Sequence, residues 1–139
     1  MQHDEIINKF TEAEALLEGH FILSSGLHSA RYIQCARVMM YPEIASRLCQ
    51  ALIKKITEKI NNIEVVASPA MGGVIVGYEI ARQLGVPAVF FERVQGEFSL
   101  RRGFDISRNA RCLMVEDIIT TGLSSRECIS AIKNYSNNV

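Results

Sequence analysis

The chain has 139 residues, of which 48% are hydrophobic, and its fifteen basic residues balance its fifteen acidic residues. This length fits one domain with a proper hydrophobic core, and the balanced charge argues against a protein that binds nucleic acid through bulk charge. The hydrophobic residues are spread over short segments that cannot cross a bilayer, and the acidic N-terminus does not resemble a secretory signal. We therefore expect a cytoplasmic protein with no nucleic-acid or membrane partner.

The first part of the chain is predicted to contain two helices with short strands between them. Residues 4–18 have apolar side chains at helical spacing. Residues 19–38 mix apolar and turn residues, which favours short strands around a loop at 24–29. Pro42 is well placed as an early residue of the next helix. The apolar residues of that helix recur at intervals of four and predict a core-facing stripe: Ile44, Leu48, Leu52, Ile56 and Ile60.

Strands and helices then alternate. The run IEVVASPA, at 63–70, is predicted to be a buried parallel strand. VIVGYEIARQL, at 74–84, has the pattern of a helix, and Gly85 is a stop signal for it. AVFFE, at 88–92, is the next predicted strand.

The last third begins with a polar stretch, 93–109, which is predicted to be a long mobile loop. ARCLMVE, at 110–116, is the third strong strand, and SSRE, at 124–127, matches a capping box at the start of the last helix. Strands that alternate with helices indicate an α/β domain with a mostly parallel sheet.

The cysteines and histidines indicate no metal site. The four cysteines lie far apart in the sequence and form no C-x-x-C pair, so we expect reduced, buried thiols. The three histidines do not combine with the cysteines at the spacing of zinc ligands.

The stretch VEDIITTG, at 115–122, joins a predicted strand to the last helix, where ligands bind in such sheets. Backbone N–H groups and hydroxyls of the turn can converge on an anion, helped by the positive end of the helix, and Gly122 permits close approach. Glu116 and Asp117 can accept hydrogen bonds from sugar hydroxyls or face a divalent cation. The pattern predicts a site for a ribose 5-phosphate. The alternative is an ordinary strand–turn–helix with exposed acids and a serine cap.

Several stretches resemble one enzyme family. CLMVEDIITTGLS, at 112–124, closely resembles the phosphoribosyl-pyrophosphate (PRPP) motif of type I phosphoribosyltransferases. FILSSGLHSARY, at 21–32, is similar to the segment that marks orotate phosphoribosyltransferases, and so are SPAMGGVIVGYEIARQLGVP and RRGF, which begin at residues 68 and 101. The resemblance runs from about Glu14 to the end of the chain.

The resemblance implies the type I phosphoribosyltransferase fold, a mostly parallel central sheet flanked by helices, with a small N-terminal hood and a shortened C-terminus. Residues 1–139 would form a single domain. Within it, residues 1–40 would form a base-binding hood with the N-terminal helix, and residues 41–139 a PRPP-binding core that is incomplete at its C-terminus.

The resemblance also implies a role for each site residue. Glu116 and Asp117 would bind the ribose hydroxyls, with Asp117 also supporting positive charge on the sugar. Residues 120–124 would grip the 5-phosphate, and Thr120 would also touch orotate. The residues expected to bind PRPP are Arg93, Met71, Gly72, Glu116, Asp117, Ile118, Ile119, Thr120, Thr121, Gly122, Leu123 and Ser124.

Two further loops have counterparts in the family. SPAMGG, at 68–73, corresponds to the loop that meets pyrophosphate through its backbone. ERVQGEFSLRRG, at 92–103, corresponds to a mobile catalytic loop that reaches into the neighbouring subunit's site. Arg93 is the candidate for a pyrophosphate contact, with Arg101 and Arg102 behind it, and the expected catalytic residues are Asp117, Arg93 and Arg101.

On the base side, Ser25 and Gly26 would help to form the orotate pocket, and His28 is either a turn residue or a ligand.

The implied reaction is the displacement of pyrophosphate from PRPP by orotate, which gives orotidine 5-phosphate in pyrimidine (UMP) biosynthesis. The sugar develops oxocarbenium character, so positioning, Mg²⁺ and arginines are needed rather than a covalent nucleophile. Mg²⁺ would be carried by PRPP near Asp117, without a direct side-chain ligand, in a homodimer with shared active sites. The alternatives are a phosphoribosyltransferase for another base and a non-catalytic or truncated PRPP-binding remnant.

Three features depart from the family pattern. Many members have lysine at the position of Ser24 and another near Gly72. The mobile loop here contains arginines but no lysine or histidine. Family members also continue beyond the last helix with at least one strand and a helix, including an arginine that pairs with the orotate carboxylate. We therefore expect an intact PRPP half of the site and an incomplete orotate half.

Overall fold

The structure is a computed structural model that describes residues 1–23 and 26–139. The chain divides into two compact units, Met1–Leu48 and Cys49–Val139. The predicted division into a hood, 1–40, and a core, 41–139, stays a prediction, because compactness does not show what either part binds. Among the described residues, no helix is long and apolar enough to span a membrane.

The N-terminal unit is a helix followed by a β-hairpin and a helical segment. Its elements are α1 (His3–Glu12), β1 (Leu16–Ile22), β2 (His28–Ile33), α2 (Cys35–Met39) and the first turns of α3 (Pro42–Thr57). β1 and β2 pair antiparallel. A small core is formed by Ala13, Ala15 and Val38, with Phe10, Met39, Ile44 and Leu48 packed against it.

Two predictions for this part of the chain needed correction. The helix predicted over 4–18 ends at Glu12, because Glu14 has φ 50°, a left-handed conformation that a right-handed helix cannot contain. Leu17 therefore lies in β1. In α3, Pro42 is the first residue as predicted, but the fully buried positions are Ala45 and Cys49, and Leu52 is 43% exposed.

The C-terminal unit is an α/β structure, as the alternating pattern predicted. After α3 it contains β3 (Val65–Pro69), α4 (Gly72–Leu84), β4 (Ala88–Val94), β5 (Glu97–Leu100), β6 (Cys112–Met114) and α5 (Leu123–Ile132). The strand order is β5-β4-β3-β6, with β3 parallel to both β4 and β6 and β5 antiparallel to β4. Every residue of the central strand β3 is buried, which is typical of a parallel strand covered on both faces.

The predicted mobile loop is largely a β-hairpin. β4 and β5 are joined by Gln95 and Gly96, both with positive φ (52° and 91°), as type I′ hairpin turns require. Phe98 and Leu100 on β5 pack against the core. The prediction of a long loop over 93–109 was therefore wrong for its first half, since the Q-G turn and the alternating E-F-S-L pattern specify a strand.

Candidate active site

The site lies where β3 and β6 end. Because these strands are parallel neighbours, with Ala67 opposite Met114, their carboxyl ends open on the same edge of the sheet. The backbone N–H of Val115 extends the pairing by donating to the Ala67 carbonyl at 2.9 Å. The residues after each strand, 70–73 and 116–122, are the segments that the sequence predicts to hold pyrophosphate and the sugar phosphate.

Asp117, the second of the two adjacent acids, contacts the start of α4. A Cβ atom built on Gly72 would lie 2.6 Å from Oδ1 and 2.7 Å from Oδ2 of Asp117. The Asp117 carboxylate therefore lies directly against the Cα of Gly72, and the two predicted segments are in contact at this point.

The other acid, Glu116, is held by α5. Its carboxylate accepts a hydrogen bond from Ser125 Oγ, and Ser125 is itself buried. Burial raises the pKa of the nearby Cys128 thiol to about 12, and the negative charge of Glu116 adds to the effect. Sequence reasoning missed Ser125; its position directly after the T-T-G-x-S pattern was the available signal.

A cavity of about 210 Å³ lies at the turn before α5, lined by Arg93, Glu116 and residues 118–125. It brings together the predicted phosphate-binding residues Ile118, Ile119, Thr120, Thr121, Gly122, Leu123 and Ser124. Gly122 adopts the left-handed conformation, with φ 74° and ψ 8°, at the residue before the helix. The Leu123 N–H donates to Thr121 Oγ1 at 3.3 Å. The Thr121 hydroxyl is thus oriented by the first residue of α5.

Arg93, at the end of β4, places a cation on the wall of this cavity. Its Nη2 donates to Glu127 Oε2 at 2.6 Å and its Nη1 to the Gly96 carbonyl at 2.7 Å. The guanidinium also lies over the Phe98 ring, 4.1 Å from its centroid. These two hydrogen bonds use two of the five N–H donors of the guanidinium.

The pairing of Arg93 with Glu127 overturns the predicted capping box over 124–127. The residue before α5 is Gly122, which has no side chain to act as a cap, and Ser124 lies inside the first turn. A capping box needs its glutamate to reach back to the N-cap N–H. Here that carboxylate binds an arginine from the neighbouring hairpin instead.

The other two arginines of the hairpin have different surroundings. Arg102 forms a bidentate ion pair with Glu92, with Nε–Oε2 and Nη2–Oε1 distances of 3.0 and 2.7 Å. This hydrogen bonding is the main cause that holds the pKa of Glu92 below its usual range, and Arg101 contributes to it by its charge. Among the residues that the structure describes, neither Arg101 nor Arg102 lines the phosphate cavity.

The predicted orotate contacts fall in both units. Ser25 lies outside the described residues. Gly26, in the N-terminal unit, has φ 80°, and its N–H donates to the Leu23 carbonyl at 2.8 Å. His28 faces His20 across the hairpin, with 2.6 Å between His28 Nδ1 and His20 Nε2. Thr120 is an exposed residue of the phosphate turn.

In the described part of the chain, no cluster of three or more His, Cys, Asp or Glu side chains could bind a metal ion. The expectation that Mg²⁺ arrives with PRPP stays a prediction.

Comparison with known proteins shows the family of the chain. Residues 42–138 match the phosphoribosyl transferase domain, so the chain is a member of the phosphoribosyltransferase class. The chain is 55% identical to an orotate phosphoribosyltransferase of Erythrobacter litoralis and 54% identical to one of Phenylobacterium zucineum. Each alignment covers the whole chain and 72% of the relative. The chain therefore belongs to the orotate phosphoribosyltransferase family.

Solved structures show the same fold. Orotate phosphoribosyltransferase from Aeropyrum pernix superimposes with a TM-score of 0.82 at 22% identity, over 94% of this chain and 76% of that one. Leishmania donovani UMP synthase gives a TM-score of 0.80 at 18% identity, over 95% of this chain and 28% of the other. At these identities the likeness concerns the fold alone, and it agrees with the type I fold that the sequence predicted.

Proposed function

We propose that the chain transfers the phosphoribosyl group of PRPP to orotate, forming orotidine 5-phosphate and releasing pyrophosphate. The observation that carries the proposal is the contact between Asp117 and Gly72. This contact brings Asp117, which can accept hydrogen bonds from ribose hydroxyls, to the N-terminus of α4, which can bind a diphosphate. The cavity at the turn before α5 can bind a phosphate. The names of relatives that are more than half identical supply the base.

In the proposed reaction, residues 120–124 and the start of α5 bind the 5-phosphate through backbone N–H groups and hydroxyls. Glu116, oriented by Ser125, and Asp117 accept hydrogen bonds from the ribose hydroxyls. The bond from the anomeric carbon to pyrophosphate breaks as the bond to the orotate nitrogen forms, and the proton of that nitrogen is released to the departing pyrophosphate or to water. The Asp117 carboxylate stabilises the positive charge that develops on the sugar.

The leaving group carries negative charge that must be neutralised. The first-turn N–H groups of α4, at Met71 and Gly72, offer donors for an anion. A Mg²⁺ ion carried by PRPP, near Asp117 and without a direct side-chain ligand, would supply further neutralisation. Arg93 and Arg101 are the proposed side-chain cations.

Three wider features belong to the same proposal: a cytoplasmic location, a role in pyrimidine biosynthesis and a homodimer with shared sites. Support for a homodimer comes from an apolar surface on α4. Its residues Ile75 and Tyr78 are 54% and 64% exposed. They border a cavity of about 380 Å³ lined by Val74, Ile75, Tyr78, Ala88, Val89, Phe90 and Phe104.

The direct test is the loss of orotate absorbance when PRPP and Mg²⁺ are added to the purified 139-residue chain. We expect steady consumption that requires both additions. Asp117→Asn is the matched control, and should abolish turnover without lowering the melting temperature. Adenine and hypoxanthine, tested in place of orotate, should not be consumed. PRPP binding without turnover of any base would contradict the proposal and indicate a non-catalytic PRPP-binding protein.

A further inference from the structure

Gly72 is the first residue of α4, and its backbone conformation does not require glycine, because its φ is not positive. The space around its Cα gives a steric cause for the missing side chain.

That cause is the Asp117 side chain. A Cβ atom on Gly72 would approach Oδ1, Oδ2 and Cγ of Asp117 to 2.6, 2.7 and 2.9 Å, well inside van der Waals contact. All three close neighbours belong to this one carboxyl group. The volume that a Cβ would take at position 72 is therefore occupied by a carboxylate from the segment after β6.

The neighbouring glycines of the helix differ from Gly72. A Cβ on Gly73 would meet Pro69 Cδ at 3.0 Å and the Val115 carbonyl at 3.1 Å, and a Cβ on Gly77 would meet Ser68. Both are buried positions that bring α4 close to the strands beneath it. Gly72 is exposed and contacts a side chain with a proposed chemical role.

The location also favours a carboxylate electrostatically. The N-terminus of a helix carries a partial positive charge and unsatisfied N–H groups. An acid held there is kept close to the site of the leaving diphosphate, where its position relative to the sugar matters most.

We propose that Gly72 is a positioning residue, whose lack of a side chain allows the Asp117 carboxylate to lie over the start of α4. This inference rests on the proposed function, in which Asp117 binds the ribose and stabilises its charge. An alanine at position 72 would make the carboxyl group rotate away. The fold would tolerate that movement, because the displaced atoms are the far end of a flexible side chain and not backbone.

The test is a double-mutant cycle with Gly72→Ala, Asp117→Ala and the double variant. We expect Gly72→Ala to lower kcat about 10- to 100-fold, because a misplacement of about 1 Å can cost that much, while its melting temperature stays equal or rises. In the Asp117→Ala background, where turnover is abolished, PRPP affinity is the readout, and Gly72→Ala should have no further effect on it. Gly73→Ala is the contrasting control, and should lower the melting temperature.

PRPP binding, followed by calorimetry, separates this inference from the proposed function. If the wild-type chain binds PRPP but does not consume orotate, the proposed function fails. The inference then still requires Gly72→Ala to weaken PRPP binding, and to do so only when Asp117 is present. Wild-type kcat and PRPP affinity in Gly72→Ala would overturn the inference, as would additive effects of the two substitutions. A wild-type chain that does not bind PRPP would overturn both.

Discussion

Among single residues, Arg93 is a cation whose orientation is fixed by its neighbours. Its guanidinium is bound by the Glu127 carboxylate and the Gly96 carbonyl and lies over the Phe98 ring. Both partners of the ion pair are more than 40% exposed, so the pair contributes at most about 1 kcal/mol to stability. Its main consequence is orientation, because it holds a cation on the wall of the phosphate cavity.

Arg93 and Arg102 form a matched pair for a test, since they have equal charge and one lies on β4 and the other two residues after β5. We expect Arg93→Ala to raise the KM for PRPP about 10- to 100-fold, as the loss of a charge-assisted hydrogen bond worth about 1.5–3 kcal/mol would do. Arg102→Ala should raise it far less, because that guanidinium binds Glu92. Steady-state kinetics with varied PRPP measures both. Equal KM values for the two variants would refute the assignment.

The residues that the sequence could identify are those that follow one another in the chain. Glu116, Asp117 and the turn before α5 form a contiguous motif, so their types and spacing alone indicate a sugar phosphate. The contacts that Ser125, Glu127 and Gly72 make with Glu116, Arg93 and Asp117 could not be predicted this way. Each of these contacts depends on how strands and helices pack, and for Arg93 and Glu127 that packing joins residues 34 positions apart. The predicted capping box failed for the same reason, because Glu127 binds Arg93, which is distant in the sequence.

At the level of secondary-structure elements, α4 packs closely on β3 through Gly77. A Cβ on Gly77 would lie 1.8 Å from Ser68 Oγ and 3.0 Å from Ser68 Cβ, and Ser68 is buried. We expect Gly77→Ala to lower the free energy of unfolding by about 1–3 kcal/mol, despite the better helix propensity of alanine. The measurement is the urea midpoint at constant m-value.

Ser68→Ala provides the internal control for this packing contact. It removes the closest clashing atom, so the double variant Gly77→Ala, Ser68→Ala should recover most of the stability lost by Gly77→Ala relative to Ser68→Ala alone. A Gly77→Ala protein with the wild-type midpoint would show that α4 can move away from β3 at no cost.

The elements themselves were predictable where a short apolar run ended at a turn signal. β3, β4, β6 and α4 satisfy this condition, and Gly85 ends α4 in the left-handed conformation as expected. β5 was missed because its polar surroundings in the sequence outweighed a four-residue alternation. α1 was overextended because apolar residues at helical spacing continue past Ala13, where the left-handed Glu14 ends the helix.

Across the whole molecule, the four cysteines are buried thiols that form no disulfide with one another. Burial raises the pKa of Cys49 and Cys112 to about 11 and that of Cys128 to about 12, with smaller contributions from Glu79 at Cys49 and Glu116 at Cys128. In the unfolded chain a thiol ionises near pH 8.5. Above that pH the folded state binds more protons than the unfolded state, so stability falls as the pH rises.

This difference predicts that stability is highest below about pH 8.5 and is progressively lost between about pH 8.5 and 12. Urea unfolding at a series of pH values would measure the loss. Cys128→Ala should be less stable at neutral pH because of the cavity it creates, but its midpoint should fall less steeply over the same pH range. An unchanged slope in that variant would show that Cys128 does not contribute to the alkaline loss of stability.

The proposed homodimer can be tested by a substitution in the apolar surface on α4. Contiguous exposed apolar patches on soluble proteins commonly mark interaction sites, and Tyr78, at 64% exposed, is central to this one. A charge there would have to be desolvated in an interface, so Tyr78→Glu should convert a dimer to monomers with little change in monomer folding. Sedimentation velocity measures the change.

Leu52→Glu, at another exposed apolar residue, on α3, is the control and should leave the dimer intact. A Tyr78→Glu protein that remains dimeric would exclude this face as the interface, and a monomeric wild type would contradict the homodimer itself.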